Sequence, residues 1–183
     1  MRTFIAIDIP ENIKDSIELY VSPLKGERAK ITWVKSGNVH ITLKFLGEIP
    51  EEKVPEIYKC LEKCVKGLKP FEVEITGAGG FPDMRRPRII WVGLKKGTDE
   101  LKKLANSIDD ELSNLDFEKE KRGFKPHLTI GRVKYINDIS GFIDKMSRLK
   151  FEGGTFTADE IFIIKSELKP TGAVYTKLES IKF

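Results

Sequence analysis

His40-Ile41-Thr42-Leu43-Lys44-Phe45-Leu46-Gly47 alternates polar and apolar side chains and then stops at a glycine, the pattern of a β-strand with one buried face. It has an echo. His127-Leu128-Thr129-Ile130 repeats the order of residue types, and His40 and His127 are the only two histidines in the chain. Along a strand, residues i and i+2 leave the same face roughly 6 to 7 Å apart, so His40 points with Thr42 and His127 with Thr129. Ile41, Leu43, Leu128 and Ile130 point the other way. Each segment then has an apolar side to anchor it, and an imidazole and a hydroxyl to face an opening.

Outward from these segments, short apolar strands alternate with amphipathic helices. Residues 3–9 read as a strand, and 11–24 as a helix behind Pro10 with Ile13, Ile17, Tyr20, Val21 and Leu24 on one stripe. Residues 31–34 and 39–46 read as strands and 51–68 as a second helix. After a strand at 71–76, the run Gly77-Ala78-Gly79-Gly80-Phe81-Pro82 reads as a flexible connection into Arg85-Arg86-Pro87-Arg88. A strand at 89–94 follows, then a helix capped by Thr98 and running to Asn114. Further strands are expected at 127–133, 155–168 and 173–183, with a short helix at 140–149.

The order strand, helix, strand, histidine-bearing strand, helix, strand returns in degenerate form after residue 88. The expected fold is therefore α+β and bilobal. Residues 1–183 form a single domain of two pseudo-symmetric lobes, each a mainly antiparallel sheet flanked by helices, around a central cleft. Strand order does not follow from the pattern.

A chain of 183 residues, 40% hydrophobic and 33% charged, has the balance of a soluble globular protein and buries enough surface to fold without disulfide or metal. No apolar run approaches the roughly 20 residues of a membrane span, and the start lacks a secretory pattern, so the expected setting is cytoplasmic with no membrane partner. Lys and Arg number 32 against 28 Asp and Glu, so only local basic patches can hold a polyanion. Glutamine is absent while lysine and glutamate abound, a bias of proteins from hot environments.

If the two histidine strands meet across a groove, two imidazoles and two hydroxyls face one another, a set suited to a phosphodiester. Displacement at phosphorus needs a base for the attacking hydroxyl or water and an acid for the departing oxygen; imidazole serves as either near neutrality. The Thr42 and Thr129 hydroxyls can donate to non-bridging oxygens. The scheme needs no metal and no cofactor. The rival chemistry is a zinc site that adds Cys60 and Cys64 to the histidines, but the wide separation of the histidines in the chain is unlike a finger. A lone histidine on a strand is usually a packed or surface residue; the pairing of two matched motifs argues otherwise.

The two H-x-T-x motifs, the first continuing as Thr42-Leu43-Lys44-Phe45-Leu46-Gly47 and the second introduced by Lys125-Pro126, resemble the 2H phosphoesterase superfamily. Within it the chain is most similar to the LigT-like RNA 2′,3′-cyclic phosphodiesterases, also called 2′-5′ RNA ligases. Phe4-Ile5-Ala6-Ile7 near the start and Ser166, Gly172 and Tyr175 near the end fit the same layout. The resemblance implies metal-free opening of an RNA 2′,3′-cyclic phosphate to a 2′-phosphate. It makes His40 the proton donor to the 3′ oxygen and His127 the base that activates water, with Thr42 and Thr129 on the phosphate. It also implies reversible 2′-5′ joining of tRNA halves.

Around the motifs, alternation places Lys44 on the face of His40 and Thr42, as added positive charge in the groove. Arg132 falls on the opposite parity from Thr129, and a bulge at Gly131 would re-aim it toward the phosphate. Phe45 is a candidate to stack on a base. Residues 85–88 and 119–122 are basic stretches suited to an RNA backbone. The partner expected is RNA with a cyclic phosphate end, bound by a monomer; the competing reading is a non-catalytic RNA-end-binding module in the same cleft.

Overall fold

A computed structural model describes residues 1–26, 29–170 and 172–183. In chain order the elements are β1 (Arg2–Asp8), α1 (Glu11–Val21), β2 (Ala29–Trp33), β3 (His40–Glu48), α2 (Val54–Val65), β4 (Phe71–Phe81), β5 (Ile89–Lys96), α3 (Thr98–Ser113), β6 (Leu128–Ile136), α4 (Ile139–Leu149), β7 (Glu152–Ala158), β8 (Glu160–Lys169) and β9 (Gly172–Lys182). The strands form two antiparallel sheets, one in the order β3-β1-β8-β9 and the other in the order β2-β6-β5-β4-β7.

One apolar core joins both sheets to the helices. Ile5 and Ile7 of β1, Ile41 and Leu43 of β3, and Ile161 and Ile163 of β8 supply it from the first sheet. Ile90, Val92, Leu128 and Ile130 supply it from the second. The helices present the stripes their spacing predicts, such as Leu101, Leu104, Ile108 and Leu112 of α3. On its other face the first sheet buries Phe4, Ala6 and Ile164 in a small separate cluster, with Phe162 and Tyr175 against it.

The duplication is visible in the strand order. Four strands of one sheet, β3-β1-β8-β9, match four of the other, β6-β5-β4-β7, with β2 added outside β6. Each histidine segment thus leads into the strand that pairs with β1 or with β5. The lobes are nevertheless not halves of the sequence. β4, from the first half, lies in the second sheet, while β8, from the second half, lies in the first. This exchange ties the two sheets together.

Three expectations are corrected. Residues 77–82 are not a flexible connection: β4 runs through to Phe81 because Gly79 sits under the indole of its partner Trp91, where a Cβ would lie 2.4 Å from the ring. The run 155–168 is two strands, broken at Asp159, where the chain leaves one sheet for the other. The residue that caps α3 is Gly97, with φ +77°, and a Cβ there would lie 2.7 Å from the Glu72 carbonyl oxygen; Thr98 is already helical.

Candidate active site

The two histidine segments share a bulge. Against β1, Thr42 pairs with Ala6 and Lys44 with Ile5, so Leu43 is the extra residue. Against β5, Thr129 pairs with Trp91 and Gly131 with Ile90, so Ile130 is the extra residue. In both cases the bulge lies three positions beyond the histidine, and it inverts the alternation that follows. Lys44 and Gly131 turn to the core face. Phe45 and Arg132 turn to the face of the histidine and threonine.

This overturns the expectation for Lys44. Its side chain is buried and bonded to the Asp109 carboxylate of α3 and the Glu118 carbonyl, the latter at 2.9 Å, so it adds no charge to the groove. Strict alternation assigned it to the wrong face. Arg132 is exposed beside Thr32 and Ile89, its strand partners, on the side the bulge selects. Gly131 is required there, because a Cβ would lie 2.9 Å from Ile31 and 3.0 Å from the Trp33 ring. Phe45 is 58% exposed, its ring centroid 6.1 Å from that of Phe4.

The imidazoles are held alike. His40 Nδ1 lies 2.7 Å from the Asn38 carbonyl oxygen and His127 Nδ1 lies 2.7 Å from the Lys125 carbonyl oxygen. A carbonyl can only accept, so Nδ1 carries the hydrogen in both rings. Among the described residues, Nε2 of neither ring has a hydrogen-bond partner. His40 stacks on Phe4 with centroids 4.6 Å apart and meets Tyr175 edge-on at 5.4 Å. His127 meets Phe81 edge-on at 5.0 Å, and Phe81 leans on Trp91 at 5.3 Å.

Burial pulls the His40 pKa below its ordinary 6.5; the Asn38 carbonyl and the Asp8 carboxylate resist this, while Arg132 and Lys14 add to it. β3 and β6 touch, so the Arg132 guanidinium and the His40 imidazole share one electrostatic field. Asp8, the strand partner of His40, accepts from Lys177 at 2.7 Å and ion-pairs with Lys14 at 3.1 Å. Burial alone would raise the Asp8 pKa, but the two lysines outweigh it and hold it below the usual value.

Thr42 and Thr129 are half-buried beside their histidines, and among the described residues neither hydroxyl has a hydrogen-bond partner. Cys60 and Cys64 sit on α2, and Cys64 meets Ser107 of α3. Burial pushes both thiols up. Cys60 is buried and Cys64 half-buried. Sequence reasoning gave no function to Phe81, Trp91, Asn38 or Asp8. No local pattern marks them, since each matters only through a neighbour brought by pairing across a sheet or by a turn.

A family model described as LigT like phosphoesterase matches the chain twice, over residues 7–91 and 92–175. The two matches divide the chain at β5, where the strand order begins its repeat. An RNA 2′,3′-cyclic phosphodiesterase of Methanocaldococcus jannaschii is 40% identical over 176 residues, covering 96% of each chain. One of Thermotoga maritima is 38% identical over 183 residues, covering 100% of this chain and 96% of its own. A crystal structure of a Thermus thermophilus protein superposes with a TM-score of 0.79 at 26% identity, covering 100% of this chain and 97% of that one.

Proposed function

Because this chain belongs to the LigT-like phosphoesterase family, we propose that it opens RNA 2′,3′-cyclic phosphates between the two imidazoles described above. It is a hydrolase: water adds to phosphorus, the bond from phosphorus to O3′ breaks, and a 2′-phosphate with a free 3′-hydroxyl remains. In the proposed division, His127 Nε2 takes the proton of the water and His40 Nε2 gives one to O3′. The Thr42 and Thr129 hydroxyls and the Arg132 guanidinium meet the non-bridging oxygens, where charge builds. Phe45 offers its exposed ring to the terminal base.

The observation that carries this reading is the matched Nδ1 bond, which fixes one tautomer in both rings and leaves both Nε2 atoms for proton transfer. The depressed pKa of His40 suits a donor, since a weakly held proton is readily given up. An anionic phosphate beside the ring favours its protonated form and so loads the donor when substrate binds. Joining RNA ends through a 2′-5′ bond is the same displacement with a 5′-hydroxyl replacing water: the 5′ oxygen bonds to phosphorus, the bond from phosphorus to O3′ breaks, and O3′ takes the proton from His40. One chain supplies both motifs, which supports a monomer as the acting unit; the proposed setting is the cytoplasm, and among the described residues no helix is long and apolar enough to cross a membrane.

The test is turnover of a nucleoside 2′,3′-cyclic phosphate with chelator present and the product isomer identified. The 2′-phosphate alone is expected. A 3′-phosphate, or activity that disappears with chelator, would overturn the proposal.

A further inference from the structure

We propose that the loop between β4 and β5, residues 82–88, is the track for the RNA strand that bears the cyclic end, and that residues 119–122 are not. This rests on the RNA-end reading above and names the part of the substrate that reading leaves open: the nucleotides upstream of the terminal one.

The loop begins directly behind Phe81, whose ring touches His127. It is held in shape from beneath. Pro87 is buried, and its Cβ and the Met84 sulfur occupy the space a Cβ on Gly80 would need, each at 2.8 Å. The Asp83 carboxylate accepts from the backbone N–H of Arg85 at 2.8 Å and of Arg86 at 3.1 Å. Arg88 N–H donates to the Phe81 carbonyl at 2.7 Å, and the Arg88 carbonyl accepts from Val133 N–H at 2.9 Å. Arg88 is thereby fixed next to Ile89, the strand partner of Arg132.

This scaffold presents three exposed guanidinium groups, Arg85, Arg86 and Arg88, and among the described residues none of them is in an ion pair. Asp83 is the one acid between Thr76 and Leu94. The other basic stretch is different. There Asp116, Glu118 and Glu120 stand among Lys119, Lys121 and Arg122, and Lys119 is already bonded to Asp110 at 2.6 Å. An anionic backbone is drawn to an unneutralised strip and gains little from a balanced one. Guanidinium is also the planar donor that matches phosphate oxygens. The strip runs on to Arg132, so a strand lying on it is continuous with the cyclic end in the cleft.

The test compares kcat/KM for a nucleoside 2′,3′-cyclic phosphate with kcat/KM for a short oligoribonucleotide ending in the same group. The wild-type protein should prefer the oligonucleotide by about tenfold or more at low salt, and the preference should shrink as salt rises. Arg85→Gln, Arg86→Gln and Arg88→Gln together should bring the ratio close to one through KM, with kcat for the oligonucleotide retained. Lys119→Gln, Lys121→Gln and Arg122→Gln together should leave it within about twofold, because Asp116, Glu118 and Glu120 stand among these cations and Lys119 is already paired with Asp110. Single arginine replacements, each lowering the ratio in part, carry the test if the triple variant does not fold. A wild-type ratio near one, a ratio unmoved by the arginine replacements, or an equal fall from the 119–122 replacements overturns the assignment. Failure to open the mononucleotide at all would strike the parent reading instead, because the mononucleotide does not reach the loop.

Discussion

Leu43 and Ile130 stand in the same place, each the unpaired residue of a bulge three positions beyond a histidine, and each therefore decides which later side chains share the histidine's face. Because of Leu43, an aromatic ring, Phe45, stands five residues after His40. Because of Ile130, a cation, Arg132, stands five residues after His127. The two halves keep the same backbone device and use it to aim different chemistry.

If one imidazole gives a proton and the other takes one, His40→Ala and His127→Ala should each slow cyclic phosphate opening by roughly 10² to 10⁴-fold, the usual contribution of one acid–base group. Melting temperatures should change little, since neither ring lies in the main core. Full activity in either variant, measured at saturating substrate, ends the division of labour.

The rate against pH should be bell-shaped, and kcat/KM reports the groups of the free protein. His40 sets one limb, which should lie below pH 6.5 because burial disfavours its charged form. Arg132→Gln removes one repelling charge and should move that limb upward, besides weakening phosphate binding. A limb that stays in place in this variant contradicts the shared field.

The same depressed value makes stability depend on pH. Between the folded-state value and 6.5, the unfolded chain binds more protons at His40 than the folded one does. Stability from this source is complete above pH 6.5 and is lost as pH falls through that window. His40→Gln should flatten the fall in melting temperature between about pH 7.5 and pH 5.5; an unchanged slope would assign the dependence to other groups.

Lys44 and Asp109 test what a buried pair is for. Asp109→Ala leaves the Lys44 ammonium buried without its partner and should cost about 3 to 5 kcal/mol. Lys44→Met with Asp109→Leu removes both charges and should lie close to wild type in a denaturant melt. Equal losses in the two would show that the anchoring of Glu118 and Glu120, both held by this pair, outweighs the charge.

Gly131→Val pushes methyl groups toward Ile31 and Trp33 at the bulge. A cost of about 1 to 3 kcal/mol is expected, with kcat falling further than the melting temperature alone explains, because Arg132 is re-aimed. A variant as active and stable as wild type would show that the bulge tolerates a side chain.

By itself the sequence determined most of the strand and helix list, the α+β class and the two pairs His40 with Thr42 and His127 with Thr129. These follow from periodicity, which acts over neighbouring residues and can be read in one dimension. Helix ends were legible only to within a turn, since α1 stops at Val21 and α2 starts at Val54. Tertiary structure decided the rest. Two facing strands must meet before a bulge exists, so alternation could not tell that Lys44 turns inward and Phe45 outward. Gly79 and Gly80 read as part of a flexible connection, whereas in the fold Trp91, Met84 and Pro87 fill the space above them. The exchange of β4 and β8 between sheets, and the placing of Arg132 within the field of His40, come from packing two apolar faces into one core, a choice that no stretch of the chain makes alone.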